Sequence, residues 1–148
     1  MIIISHRGNL TGSDPETENR PDQIIKVLEM GFDVEIDVWF HDDRWYLGHD
    51  EPTHRVPEGF LEVDGLWLHA KSLKAVEMLS KKDVNWFWHE EDAVTITRHG
   101  YIWCYPNKEV DGGIAVDHGQ LDDVDKRLRG ICTDYPLEQK FPAMHGMR

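Results

Sequence analysis

The chain has 148 residues, with 28 acidic and 16 basic side chains, and its formal net charge is −12. This charge disfavours nucleic acid and anionic membrane surfaces and favours a small soluble molecule as the partner. The apolar start is short and has no basic flank, and no apolar run approaches the ~18 residues of a membrane span. We therefore expect one cytoplasmic domain over residues 1–148, with neither a signal peptide nor a membrane-spanning segment.

The first predicted strand is an apolar β-branched run, residues 2–6, which ends in His6 and Arg7. Barrel enzymes present catalytic groups in this way, at the C-terminal end of a buried strand. A helix is predicted next: Asn19 is its expected cap, Pro21 lies in its first turn and Gly31 ends it.

The second predicted strand, residues 33–39, carries Glu35 and Asp37. Residues two apart in a strand share a face, and the other face of this strand is apolar. Two unpaired carboxylates inside a barrel would cost several kcal/mol each, so a bound cation is the favoured explanation. Two oxygen ligands of this kind suit Mg²⁺ or Ca²⁺.

A tight hairpin should follow this strand, because only four residues separate Phe40 from Trp45. A parallel crossover needs about a dozen residues, so the two runs should pair antiparallel. A turn centred on Asp42 and Asp43 sets residue 37 opposite residue 48, and this register returns His49 to the neighbourhood of the carboxylates.

Six further runs also read as strands: residues 44–48, 66–69, 85–88, 101–105, 114–117 and 131–133. Further helices are predicted after the cap Ser72, over residues 122–128 and from Pro136. Eight strands with three or four helices predict an α/β protein. The chain is short for a (β/α)8 barrel, which usually needs roughly 200 residues or more, so any barrel it formed would lack several outer helices.

Five polar motifs follow one another along the chain: His6-Arg7-Gly8, Glu18-Asn19, Glu35-Ile36-Asp37, Gly48-His49-Asp50 and Thr133-Asp134-Tyr135-Pro136. Their order resembles that of the glycerophosphodiester phosphodiesterase family, whose fold is the barrel of the phosphatidylinositol-specific phospholipases C. Together with the chain length, this resemblance implies a shortened (β/α)8 TIM-like barrel with several outer helices missing. The resemblance implies that His6 is the general base and His49 the general acid, an order that the residues alone leave open. It also implies that Glu18 lies at the site beside Arg7, whose planar fork of donors matches a phosphate.

One departure from the family pattern concerns the metal. The family carries Glu-x-Lys on a middle strand, and this chain has His69-Ala70-Lys71. If His69 replaces the glutamate as a third ligand, Zn²⁺ or Mn²⁺ becomes more suitable; if it lies outside the coordination sphere, Mg²⁺ or a similar ion is expected. Lys71 is predicted to contact the phosphate and His89 to lie at the pocket rim.

The predicted function is metal-dependent hydrolysis of a small glycerophosphodiester-like molecule by histidine acid/base catalysis. Two alternatives remain open: a phosphate-binding pseudoenzyme or module without turnover, and a metal-dependent lyase on the same scaffold. Six tryptophans in or beside the strands are expected to fill the core and cover strand faces that lack helices. Some of them could instead form a homodimer interface.

Overall fold

The computed structural model describes residues 1–117 and 127–140, with the side chain of Lys140 excepted. The described strands are β1 (Ile2–His6), β2 (Asp33–His41), β3 (Arg44–Leu47), β4 (His54–Val56), β5 (Leu66–Ala70), β6 (Trp86–Phe87), β7 (Val94–Ile96), β8 (Ile102–Cys104), β9 (Ile114–Asp117) and β10 (Gly130–Thr133). The helices are α1 (Pro21–Glu29), α2 (Leu73–Leu79) and α3 (Pro136–Lys140), and a 3-10 turn spans Glu58–Glu62.

All ten strands belong to one mixed sheet that curls into an open half-barrel. Seven neighbours run parallel in the order β6-β5-β2-β1-β10-β9-β8. Antiparallel pairing adds β3 along the C-terminal half of β2, β4 beside β3, and β7 beside β8.

The prediction of an α/β, shortened (β/α)8 TIM-like barrel is therefore wrong. The described part of the chain has only three short helices, and its sheet is mixed and open. The physical reason lies in the connections: those between β2 and β3 and between β7 and β8 are too short for a crossover helix, so these strands reverse direction.

Most predicted elements form, and the hairpin register is confirmed, with Val38 opposite Leu47. Ser72 caps α2 as predicted, since its hydroxyl accepts a hydrogen bond of 3.1 Å from the Ala75 amide. Strands β4 and β7 were not predicted, because a run of only three residues is too short to show a strand pattern. Of the predicted helix over 122–128, residues 122–126 lie outside the described residues.

The core has two parts, one on each side of the curled sheet. On the convex side, α1 and α2 bury Ile24, Val27 and Leu79 against β2 and β5. On the concave side, Trp67, Phe87 and Trp103 pack together, and the centroids of the last two rings lie 4.5 Å apart. The prediction that tryptophans fill the core is confirmed for Trp45, Trp67 and Trp103, whereas Trp39, Trp86 and Trp88 are partly exposed. Among the helices of the described residues, none is both long and apolar enough to cross a membrane.

Candidate functional site

The candidate site lies at the ends of β1 and β5 and beside the first half of β2, which continues past it to His41. Parallel pairing sets His6 beside Glu35 and Asp37 beside His69. This register gathers side chains that are as far apart in the sequence as His6 and His69.

Glu35, Asp37 and His69 form a compact cluster of potential metal ligands. His69 Nδ1 lies 3.6 Å from Glu35 Oε2 and 3.4 Å from Asp37 Oδ1, and one ligand atom from each residue falls within 4.8 Å of the others. Glu35 Oε1 is buried and accepts no hydrogen bond from the described residues. Two buried carboxylates, one of them with an oxygen that lacks a donor, fit a divalent cation.

The protonation of this cluster reflects its excess of negative charge. Burial lowers the pKa of His69, but the adjacent carboxylates of Asp37 and Glu35 outweigh burial and raise that pKa to about 9. Burial also favours the neutral form of Asp37, yet the adjacent imidazoles of His49 and His69 hold its pKa well below the usual range. Without a metal, a protonated imidazole therefore lies between the carboxylates.

Asn19 holds Asp37 in place. The Asn19 amide donates a hydrogen bond of 2.9 Å to Asp37 Oδ2, and the Asp37 backbone N–H donates one of 3.0 Å to Asn19 Oδ1. Asn19 has a φ of 60° and does not cap α1, so its predicted role as a helix cap is wrong. The Glu18-Asn19 motif was the sequence signal that pointed to this position.

His6 is oriented by Asp134, which was not predicted as a site residue. His6 Nδ1 donates a hydrogen bond of 2.8 Å to Asp134 Oδ1, and Asn9 donates a second one of 2.8 Å to the same oxygen. Burial lowers the pKa of His6, but this hydrogen bond and the charge of Glu35 outweigh it, so the pKa is raised. His6 Nε2 lies on the cluster side, 3.9 Å from Glu35 Oε1.

The Arg7 side chain connects Asp37, Glu18 and His49. Its backbone has a φ of 61°, which turns the chain sharply after β1. Its Nε lies 3.2 Å from Asp37 Oδ2, its Nη1 3.4 Å from Glu18 Oε1 and its Nη2 3.3 Å from His49 Nε2. Glu18 is held in turn by a hydrogen bond of 2.7 Å from the Asn9 amide. His49 Nδ1 lies 3.7 Å from Asp37 Oδ2, so the hairpin does return this histidine to the carboxylates.

Two predicted substrate residues, Lys71 and His89, are not among the side chains that contact Arg7 or the carboxylate cluster in the described residues. Lys71 follows β5 and is partly buried, but none of the ion pairs among the described residues involves it. None of the hydrogen bonds among the described residues joins the His89 ring to the carboxylates, and its Nε2 bonds to the Asp92 carbonyl at 2.6 Å. The His89 carbonyl accepts a hydrogen bond of 2.9 Å from His69 Nε2, so the backbone of His89 lies beside the cluster, and a role for its side chain at the pocket rim stays a prediction.

Two pockets flank Arg7. The aromatic pocket, about 140 Å³ in volume, lies between His6, Glu35 and His69 on one side and Trp103, Tyr105 and Val116 on the other. The polar pocket, about 360 Å³, is lined by residues that include Ser13, Glu18, His49 and Asp50. A third cavity of about 230 Å³ lies at the opposite ends of the strands, beside Asp33 and Trp67, and none of the predicted site residues lines it.

Comparison with models of protein families, with curated proteins and with solved structures finds no match to this chain. The relation to the glycerophosphodiester phosphodiesterases therefore stays a prediction based on motifs.

Proposed function

We propose that this protein is a metal-dependent hydrolase of small phosphodiesters, with a glycerophosphodiester-like molecule as substrate. One observation carries the proposal: His6 and His49 both lie beside the same Arg7 and carboxylate cluster, but border different pockets. A proton acceptor and a proton donor on either side of an anion site are what phosphoryl transfer requires.

Glu35, Asp37 and His69 would hold the divalent cation. When bound, the cation neutralises phosphoryl charge and polarises phosphorus. Two carboxylate oxygens and one imidazole nitrogen suit Mn²⁺ or Zn²⁺ better than Ca²⁺. The distances of 3.6 and 3.4 Å from His69 Nδ1 to the two carboxylates favour His69 as a ligand over a position outside the coordination sphere.

The protein's own groups supply the proton transfers. His6 accepts a proton from the attacking water or substrate hydroxyl through Nε2, and Asp134 stabilises the resulting imidazolium. As the new P–O bond forms, the bond to the departing alcohol breaks, and His49, as the general acid, donates a proton to the alkoxide. Arg7 contacts the phosphoryl oxygens and is kept in position by Glu18.

A second candidate, a phosphate-binding module without turnover, is favoured by one observation. Arg7 is already paired with Asp37 and Glu18, so much of its charge is balanced before any phosphate arrives. Such a protein would bind phosphate esters in the same pockets and release them unchanged.

Hydrolysis of bis(4-nitrophenyl) phosphate tests the proposal. Protein freed of metal with a chelator should be inactive and should regain activity with Mn²⁺ or Zn²⁺. Both His6→Ala and His49→Ala should lower the rate by about 10²–10⁴-fold, the usual scale for a lost acid or base. His41→Ala removes an exposed histidine at the far end of β2 and serves as the matched control. Undiminished activity in the first two variants would contradict this mechanism, and binding without turnover would favour the module.

The net charge of −12 supports a small molecule rather than nucleic acid as the substrate. Cys104 and Cys132 are free and buried, which agrees with the proposed cytoplasmic location. A homodimer through the partly exposed tryptophans, such as Trp86 and Trp88, stays a proposal that sedimentation would test.

A further inference from the structure

The aromatic pocket has two chemically different sides. His6 at the end of β1, Glu35 in the first half of β2 and His69 near the end of β5 line one side. The opposite wall includes Trp103 on β8, Val116 on β9 and Tyr105 just after β8. This wall is apolar, and Trp103 is rigidly held because it is 4% exposed and packs against neighbouring aromatic rings.

The polar pocket, on the other side of Arg7, offers no comparable apolar wall. Its lining includes the hydroxyl of Ser13, the carboxylates of Glu18 and Asp50, and the imidazole of His49. Arg7 borders both pockets, so a phosphoryl group bound at Arg7 would direct one ester arm into each. The two arms would therefore meet different surroundings.

We propose that the substrate is an asymmetric phosphodiester whose retained arm is compact, uncharged and apolar, and that this arm packs against Trp103, Tyr105 and Val116. The departing arm is hydrophilic and occupies the polar pocket. This inference rests on the proposed function, because it takes the phosphoryl position from the Arg7 and metal cluster.

The assignment of the arms follows from the histidines. His49 borders the polar pocket and protonates the departing alcohol, so the arm in the aromatic pocket is the retained one. An apolar cavity of about 150 Å³ accommodates benzene, and the aromatic pocket is of similar size, about 140 Å³. The carboxylate of Glu90 at its rim disfavours an anionic group at the outer end of the arm.

Binding of two phosphate monoesters tests the preference without turnover. Phenyl phosphate and glycerol 3-phosphate carry the same anionic group and differ in their arm. In calorimetric titrations with Mn²⁺ present, phenyl phosphate should bind about tenfold more tightly, the ratio expected when roughly 60 Å² of ring surface leaves water. Equal affinities, or binding of neither ester, would overturn the inference.

Two variants assign the preference to the wall. Tyr105→Ser removes the ring at the rim, and Val116→Thr places a hydroxyl in the wall at nearly constant shape; each should reduce the preference for phenyl phosphate. Tyr46→Ser, on β3 and outside both pockets, is the matched control and should keep it. An unchanged preference in both pocket variants would mean that the ring of phenyl phosphate binds outside the aromatic pocket, and this result would contradict the inference.

The same measurements separate this inference from the proposed function. A preference for phenyl phosphate in a protein that hydrolyses no diester would support the pocket assignment and contradict the hydrolase. Metal-dependent hydrolysis without any preference would contradict the pocket assignment alone.

Discussion

Single residues far apart in the chain hold the buried polar groups of the site. Asn19 bonds to Asp37 with both ends of its amide, and Asp134 fixes the His6 ring from the other end of the chain. A buried charged group is costly unless it has such partners. These residues therefore determine which way the reactive atoms face.

The substitution His69→Glu should alter the metal preference. A third carboxylate in place of the imidazole would suit hard cations, so affinity should shift from Zn²⁺ or Mn²⁺ towards Mg²⁺ or Ca²⁺. Calorimetric titration of each ion into both proteins measures this shift. Unchanged affinities would mean that His69 is not a ligand, and His89→Gln, at the rim, should leave the order of preference as it is.

Asp33 at the start of β2 gives a prediction about pH. Burial raises the pKa of Asp33, although Trp67 Nε1 donates a hydrogen bond of 2.9 Å to its Oδ2. A carboxyl whose pKa is higher in the folded state favours folding at low pH, and this contribution is lost as pH rises through the folded-state pKa.

Asp33→Asn resembles the protonated form, so it should raise the melting temperature near pH 7, and the gain should shrink as the pH falls towards about 4. Melting curves of both proteins across this range provide the measurement. A gain that grows on acidification would have the wrong sign for a raised pKa.

At the scale of elements, the hairpin of β2 and β3 brings His49 to the carboxylates. Asp42 and Asp43 form its two-residue turn with φ values of 51° and 58°. Positive φ at both positions is typical of the type I′ turn, in which glycine is preferred at the second position.

Asp43→Gly should therefore stabilise the protein by about 0.5–1 kcal/mol, because glycine adopts this conformation without strain. Denaturant unfolding gives the difference in free energy. Asp64→Gly is the matched control: Asp64 is an exposed turn residue without a positive φ, and glycine there should destabilise the protein. Equal signs for the two variants would contradict the assigned turn.

The sequence predicted those parts of the site that depend on local geometry. The shared face of Glu35 and Asp37 and the register of the hairpin follow from the spacing of neighbouring residues, and the structure confirms both. The hydrogen bonds of Asn19 with Asp37 and of His6 with Asp134 depend on how distant segments meet. The motifs therefore contained Asn19 and Asp134, but they did not predict which side chains these two residues would contact. The shortened barrel was wrong, because the resemblance suggested a barrel, whereas the open edges and the antiparallel strands depend on how distant segments pair.

At the scale of the whole molecule, one curled sheet gathers the side chains of the candidate site, and the helices of the described residues do not form an outer ring around it. Seven parallel strands form the main part of the sheet, α1 and α2 pack around β2 and β5, and α3 packs against β1. The curl, rather than a closed barrel, sets Trp103 and Val116 across from Glu35 and His69. The aromatic pocket thus depends on the curvature of the sheet.

The most direct test of the metal-dependent site is anomalous diffraction from crystals soaked in Mn²⁺ or Zn²⁺. We predict a peak at about 2.0–2.3 Å from a carboxylate oxygen of Glu35, from one of Asp37 and from His69 Nδ1, the usual ligand distances for such ions. The peak should vanish in Asp37→Asn crystals that retain the fold. An empty cluster under both ions would contradict a metal-dependent hydrolase at this site.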